Sequence, residues 1–209
     1  LFLHPRPTML HRCLLLPFLV LPLAAQVTPS SEGGAEEPAA SKVLGVDVTY
    51  LANEGFYLES GRYAVLIDAF LREPAGPYAA LPSEVHKELA NAKPPFDKLT
   101  VVLVSHNHPD HVQMRGLEKY LGHNNFAQLL TSQQVIRGLR DGAQDFEAIQ
   151  RRVTHVPTTR GTFKRLVQDD VRIDFFELEH GGKENEEVLN LGHLIEMGGL
   201  KILHVGDAE

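Results

Sequence analysis

Short apolar runs alternate with small turns in the part of the chain that follows residue 42. Three of these runs are separated by turn residues at Asn53-Glu54 and Ser60-Gly61, and they cover residues 46–51, 55–59 and 63–67. Runs of this length, rich in Val, Tyr, Phe and Ile and bounded by turns, are typical of strands joined as hairpins. The pattern therefore predicts a meander of three strands.

A helix is predicted directly after the meander. Val85, Leu89 and Ala92 recur at a spacing that places side chains on one face of a helix. Pro82-Ser83 precedes them, as is common at helix starts, and Pro94-Pro95 ends the pattern because proline cannot continue a helix. We therefore expect one amphipathic helix before the next strand.

The run LTVVLV at residues 99–104 is apolar at nearly every position and stops abruptly at a polar loop. A strand without alternation between apolar and polar residues is typical of one that is buried on both faces of a sheet. The carboxyl end of such a strand is where an open α/β sheet presents its chemistry. The loop that follows residue 104 is therefore the first place to look for a functional site.

The remaining pattern mixes strands with helices. We predict strands at 126–130 and 171–178, helices at 132–139 and 143–151, and a final pair of strands at 191–197 and 200–205. Gly198-Gly199 joins that final pair as a tight hairpin. Strands in both halves with helices between them predict a layered α/β domain over residues 43–209.

The N-terminus has the three-part pattern of a secretory signal peptide. Arg12 precedes an apolar run over residues 13–23, and Ala24 and Ala25 follow it. We expect cleavage near Ala25 and a secreted or periplasmic protein with no stable membrane span; an uncleaved N-terminal anchor is the alternative. Residues 1–8 precede the first methionine, and residues 26–42, rich in Pro, Gly, Ser and Glu, are predicted to be a disordered linker.

Composition narrows the range of partners. The formal net charge is −7 and no run of Lys or Arg stands out, which argues against nucleic acid as a partner and favours a small-molecule substrate. The only cysteine, Cys13, cannot form an internal disulfide and lies in the predicted signal peptide. The chain is also long enough for the core of one domain but short for two.

His106-Asn107-His108-Pro109-Asp110-His111 follows the apolar run and carries the candidate chemistry. Imidazole suits zinc, iron, nickel or copper, and a carboxylate widens the choice to manganese. His106 and His108 project the same way from an extended loop and can bind one ion. Asp110 and His111 lie beyond the turn at Pro109 and can reach a second ion. The loop therefore predicts a site for two metal ions.

This hexapeptide resembles the His-x-His-x-Asp-His signature of the metallo-β-lactamase superfamily, and the resemblance runs from about Val43 to the last residue. It implies a four-layer αββα sandwich. It also implies that Asp68, at the end of an early strand, supports the metal loop, and that a third histidine binds the first ion. His180 fits that position best. The rivals are His155, which also suits a surface loop, and His193, which suits the core or a supporting role.

The resemblance further implies that Asp207, in ILHVGDAE, bridges both ions, while His204 on the preceding strand is structural. The sequence of residues 190–209, NLGHLIEMGGLKILHVGDAE, is most similar to the ascorbate-lactonase-like (UlaG-like) branch of the superfamily. The family pattern also includes a further histidine well after this aspartate. We therefore expect the C-terminal part of the fold to be missing here, and the reading frame to continue beyond Glu209 with another strand that ends in a metal-binding histidine. Residues 26–209 alone are expected to bind at most one ion firmly and to be weakly active or inactive.

The implied activity is hydrolysis by a hydroxide held between two divalent ions, most simply Zn²⁺, with Mn²⁺ or Fe as alternatives. Asp110 and Asp207 are the candidate catalytic residues. Lactones, esters, phosphodiesters and β-lactams remain open as substrates. Two other functions stay open on the same scaffold: a non-catalytic or single-metal envelope protein, and an iron-dependent oxidoreductase.

Overall fold

The computed structural model describes residues 45–73 and 76–209. The predicted signal peptide at 1–25 and the linker at 26–42 lie outside the described residues. Within the described ranges, no helix combines the length and the apolar character that crossing a membrane requires.

The described residues contain ten strands and four α-helices. The strands are β1 Asp47–Ala52, β2 Gly55–Ser60, β3 Tyr63–Ile67, β4 Leu99–Val104, β5 Gln128–Thr131, β6 Val153–His155, β7 Phe163–Gln168, β8 Val171–Leu178, β9 Asn190–Met197 and β10 Leu200–His204. The helices are α1 Ser83–Ala90, α2 Met114–His123, α3 Gln133–Gly142 and α4 Phe146–Ile149. Short 3₁₀ turns cover Gln150–Arg152 and Lys183–Asn185.

The strands form two sheets. The first sheet has the order β1-β2-β3-β4-β5-β6, in which β1 to β3 are antiparallel and β3 to β6 are parallel. The second sheet is antiparallel with the order β10-β9-β8-β7. Because β3, β4 and β5 are parallel, their carboxyl ends lie at the same end of the first sheet. The loop at 105–111, which we call the metal loop, follows β4 at this end.

Burial on both faces of β3 and β4 explains the layers. Leu66 and Val102 face a core that all four α-helices share, whereas Val65 and Leu103 face a core between the two sheets. Adjacent residues of a strand point to opposite faces, so continuous apolar runs are required here. The described residues thus form a helix layer on a first sheet and a second sheet on its other face. The mixed α/β fold class is confirmed, and the described residues form three of the four layers of the expected αββα sandwich, namely one helix layer and the two sheets.

Several element bounds differ from the predictions. The strand expected from residue 126 begins at Gln128, because the side chain of Asn124 accepts hydrogen bonds from the backbone of Phe126 and Ala127 and forms a turn there. The helix expected at 143–151 shortens to α4 and a 3₁₀ turn, since Asp145 caps it from within the predicted range. Helix α2 and strands β6 and β7 were not predicted from the sequence.

An ion pair on the outer face of the second sheet yields the first prediction. Arg165 donates from Nε and Nη2 to the two carboxylate oxygens of Asp174, each at 2.6 Å, and this lowers the pKa of Asp174. A carboxyl group with a lowered folded-state pKa stabilises the fold above its unfolded pKa of about 4 and loses that contribution as the pH falls further. Asp174→Asn should therefore lower the melting temperature at pH 7, and the difference from wild type should shrink below pH ~4. A difference that persists unchanged in acid would contradict the ion pair as its cause.

Candidate metal centre

The metal loop begins where β4 ends. Ser105 and His106 continue from the buried strand, and both are fully buried. A turn then reverses the chain at Pro109, closed by a backbone hydrogen bond of 3.1 Å from His111 to His108. The loop therefore projects its side chains from the edge of the first sheet in two directions.

Four side chains from three places in the chain converge on one point, and we call them the first ligand group. They are His106, His108, His180 and Asp207, whose candidate ligand atoms all lie within 4.8 Å of one another. Nε2 of His106 lies 3.1 Å from Nδ1 of His108 and 3.2 Å from Nε2 of His180. Oδ2 of Asp207 is 3.9 Å from Nε2 of His106 and 3.6 Å from Nε2 of His180.

These separations fit a single metal ion. Ligand atoms about 2.0–2.1 Å from a tetrahedral zinc ion lie roughly 3.3–3.4 Å from each other. The measured nitrogen–nitrogen distances are close to that value. Lone pairs of neutral imidazoles repel when they face each other, so this convergence is favourable when a cation lies between them. The donor set therefore fits a divalent ion.

The second ligand group consists of Asp110, His111 and Asp207. Nε2 of His111 lies 3.1 Å from Oδ1 of Asp207 and 3.9 Å from Oδ2 of Asp110. This nitrogen is buried and has no well-aligned hydrogen-bond partner among the described residues. A buried polar atom without such a partner calls for an explanation, and a metal ion supplies one. Asp207 directs one oxygen to each ligand group.

The side chain of Asp68 helps to hold both ligand groups in place through hydrogen bonds. It is fully buried and has a left-handed φ of 43°, which aspartate tolerates better than most residues. Its Oδ1 accepts from the backbone N–H of Ser105 at 2.8 Å, and its Oδ2 lies 3.0 Å from Nδ1 of His111. Hydrogen bonds and the charge of His111 outweigh burial and lower the pKa of Asp68. An ionised Asp68 therefore accepts the Nδ1 proton of His111 and leaves its Nε2 free for a metal.

Ser105 extends this support to the first ligand group, and the sequence analysis missed it. Its hydroxyl donates to Oδ2 of Asp68 at 2.6 Å, so it can accept from Nδ1 of His106 at 2.9 Å. A hydroxyl has only one proton to donate, so this network places the proton of His106 on Nδ1 and the lone pair on Nε2, within the ligand group. The signal was visible only as a polar residue between a buried strand and the first histidine.

Removing the Ser105 hydroxyl should therefore weaken metal binding. Loss of a residue that orients a metal ligand typically lowers the affinity for the metal ~10–100-fold. We expect Ser105→Ala to weaken the first ion by about tenfold, because His106 loses the acceptor that fixes its tautomer. Titration of the metal-free protein with Zn²⁺ measures this. Unchanged affinity would show that the hydroxyl does not orient His106.

Two backbone segments hold His180 and Asp207 against each other. The N–H of Gly181 donates to the carbonyl of Asp207 at 2.9 Å, and Ala208 forms an isolated β-bridge with His180. Nδ1 of His180 lies 2.8 Å from the carbonyl of Gly181, which leaves Nε2 for the first ligand group. The segment that carries Asp207 is therefore tied down by the segment that carries His180.

Protonation of the loop histidines follows their surroundings. Burial, with a smaller contribution from His111, lowers the pKa of His106 to about 3, and burial also lowers the pKa of His108. Burial opposes charge on His111 as well, but the hydrogen bond and charge of Asp68 outweigh it and raise the pKa of His111. His106 and His108 are therefore neutral at pH 7, the form in which histidine binds metal.

The three remaining candidate histidines stand apart from the ligand groups. His155 is exposed in β6 rather than in a loop. His193 is fully buried in β9, where desolvation lowers its pKa to about 3, and its ring packs 5.4 Å from Phe175. His204 stacks on His193 at a ring distance of 6.0 Å. All six side chains predicted as metal ligands lie in the two ligand groups, and His155 and His193 do not.

Solved structures with the same fold include metal-dependent hydrolases. A candidate metal-dependent hydrolase from Parabacteroides distasonis is 14% identical with a TM-score of 0.51, and the match covers 78% of this chain and 61% of that one. A metallo hydrolase from the archaeon Ignicoccus hospitalis is 17% identical with a TM-score of 0.51 and the same coverage of both chains. A protein from Veillonella parvula, described as a possible metal-dependent hydrolase, is 17% identical with a TM-score of 0.50, covering 77% and 62%.

The chain spans less than two thirds of the length of these structures, and at such identities the likeness shows the fold alone. No curated protein matches the chain. The sequence family described as "Beta-lactamase superfamily domain" matches residues 63–209, which include β3 to β10 and both ligand groups. The chain therefore belongs to the β-lactamase superfamily.

Proposed function

We propose that this protein is a metal-dependent hydrolase that binds two divalent ions, most simply Zn²⁺, and acts on a small molecule. His106, His108 and His180 would hold one ion, Asp110 and His111 the other, and Asp207 would contact both. The observation that carries the proposal is the convergence of these donor atoms into two groups that share Asp207.

The chemistry of this donor set supports hydrolysis. Divalent ions bound here would lower the pKa of a water molecule toward neutrality and polarise the oxygen of a scissile carbonyl or phosphoryl group. The side chains supply the rest: neutral His106 and His108 offer lone pairs, and Asp68 holds His111 in the tautomer that binds metal. Asp110 and Asp207 would contribute carboxylate oxygens to the ions, and a carboxylate in either position could accept a proton from a metal-bound water.

A small cavity beside the first ligand group supports a small-molecule substrate. It has a volume of about 220 Å³ and is lined by His180 together with Arg160, Glu179 and Glu186. Nη1 of Arg160 lies 3.8 Å from Glu179, and both side chains are largely exposed. Because the sequence of residues 190–209 resembles the UlaG-like lactonase branch, we propose that the protein is most similar to that branch. Lactones and esters are therefore the substrates to test first.

Metal content and hydrolysis test the proposal together. Elemental analysis of the protein purified from its complete reading frame should find two zinc ions per chain. A chelated sample should lose hydrolysis of a lactone and ester panel and regain it with Zn²⁺, whereas a chelated His106→Ala variant should not regain it. A wild-type protein that takes up no metal, or that hydrolyses nothing on the panel when loaded, would overturn the proposal.

We also propose export. The supporting feature is the apolar run at 13–23 followed by Ala24 and Ala25. Protein recovered from the medium or the periplasm should have an N-terminus just after Ala25 on Edman sequencing. Recovery of an intact Met9 from the cytoplasm would contradict export.

A further inference from the structure

The turn between β1 and β2 lies against the second ligand group, although it precedes the residues that match the family. The matched region begins at residue 63, whereas this turn consists of Asn53 and Glu54, with Gly55 beginning β2. We call these three residues the buttress turn. Three separate contacts join it to the segments that carry Asp110, His111 and Asp207.

The first contact reaches Asp110. Nδ2 of Asn53 donates to the carbonyl oxygen of Asp110 at 2.9 Å, across 57 positions of sequence. Asn53 has a left-handed φ of 47°, a conformation that asparagine adopts more readily than most residues. The turn geometry and the side-chain amide together direct the donor at the metal loop.

The second contact reaches Asp207 through His204. Nδ1 of His204 accepts from the backbone N–H of Gly206 at 3.3 Å, so the ring proton is on Nε2. Nε2 of His204 lies 3.2 Å from the carbonyl oxygen of Glu54 and can donate to it. The imidazole therefore links the buttress turn to the residue that precedes Asp207.

The third contact reaches the strand end that holds His111. A Cβ atom at Gly55 would lie 2.8 Å from the carbonyl oxygen of Asp68, closer than real Cβ atoms approach. Glycine therefore allows the turn to lie directly on the backbone of Asp68. Asp68 in turn holds Nδ1 of His111.

No direct contact joins the buttress turn to the histidines of the first ligand group among the described residues. His106 is oriented by Ser105, and His180 is oriented by the carbonyl of Gly181. Asp68 also holds Ser105, so the third contact supports both ligand groups, whereas the contact of Asn53 reaches the second group alone. Asp207 belongs to both, but the segment of His180 also holds it.

We propose that the buttress turn positions the second ligand group and so sets the affinity for the second ion, with Asn53 as its principal positioning residue. This inference rests on the proposed function, because it assumes that two ions bind. Loss of the Asn53 amide frees the carbonyl of Asp110, and the carboxylate of Asp110 is then held less firmly. The affinity for the first ion stays as it was.

Asn53→Gly tests this directly, because glycine keeps the left-handed backbone and removes only the amide. Asp169→Gly is the matched control, since Asp169 is an exposed left-handed residue (φ 53°) in the β7–β8 turn, at the opposite end of β8 from His180. The product of the complete reading frame, freed of metal, is titrated with Zn²⁺ by calorimetry, and the affinities of the two ions are measured separately. Melting of the metal-free forms is recorded alongside.

We expect Asn53→Gly to weaken the second ion by about tenfold, as for other residues that orient metal ligands, and to leave the first within about twofold. Asp169→Gly should change neither, and both metal-free variants should melt near wild type. Two ions held as tightly by Asn53→Gly as by wild type would overturn this inference alone, as would equal weakening of both. A wild-type chain that takes up no second ion would overturn the proposed function and this inference with it.

Discussion

Replacing His180 with alanine is expected to weaken the first ion by more than the ~10–100-fold typical of residues that only orient ligands. The variant removes one of three imidazole nitrogens that meet at 3.1–3.2 Å. Hydrolysis should fall with it. Zn²⁺ titration of the metal-free variant measures the loss directly, without a known substrate.

His155→Ala is the matched control for this experiment. It also removes one imidazole, but from an exposed position in β6 outside both ligand groups. It should bind metal as wild type does. Equal metal affinity in His180→Ala and wild type would show that the third ligand of the first ion has been assigned wrongly.

Phe70→Ala should produce a large loss of stability. Phe70 is fully buried just beyond the end of β3, and its ring packs at a tilt against Tyr120 of α2 at a centroid distance of 5.5 Å. Its backbone forms a β-bridge with Val112 at the end of the metal loop. Truncating a buried phenylalanine costs about 3–5 kcal/mol, because transfer free energy is lost and a cavity remains. The free energy of unfolding, from urea titration, should fall by that amount.

Phe126→Ala provides the comparison. The side chain of Phe126 is 64% exposed, so its removal leaves no cavity and should change stability by less than about 0.5 kcal/mol. If the two variants lost similar amounts, the packing between β3, α2 and the metal loop would not be the source of the effect. A loss at Phe70 below about 1 kcal/mol would point the same way.

The strands with strong local patterns were predictable from the sequence. The predicted strands 63–67, 99–104 and 171–178 have the bounds of β3, β4 and β8, because continuous apolar runs between turn residues leave little choice of structure. Helix α2 was missed although Leu117, Tyr120 and Leu121 are spaced for one helix face, because Gly116 and Gly122 weaken the helical signal and no side chain caps its start. Strand β7 was missed because its side chains are mostly exposed and lack apolar alternation.

The candidate ligands were predictable for a different reason. Histidines and carboxylates at strand ends are rare enough to stand out from the rest of the chain, and the resemblance assigned each of them a position. Their supports were not predictable. Ser105 and Asn53 are ordinary turn-forming residues in the sequence, and their importance depends on contacts across 37 and 57 positions that only the folded chain creates. Local patterns carry no information about such contacts.

The first ligand group joins the loop after β4 of one sheet to the segment after β8 of the other, with 74 positions between His106 and His180. An unfolded chain keeps these histidines but separates His180 from the loop, so ions at this site would bind the native state more tightly than the unfolded chain. Such binding stabilises by linkage, by up to about 2.7 kcal/mol for each ion at a free metal concentration of 100 times its Kd. Removing the ions with a chelator would then also lower the free energy of unfolding of the whole domain. Metal supply would thereby govern how long the folded protein survives.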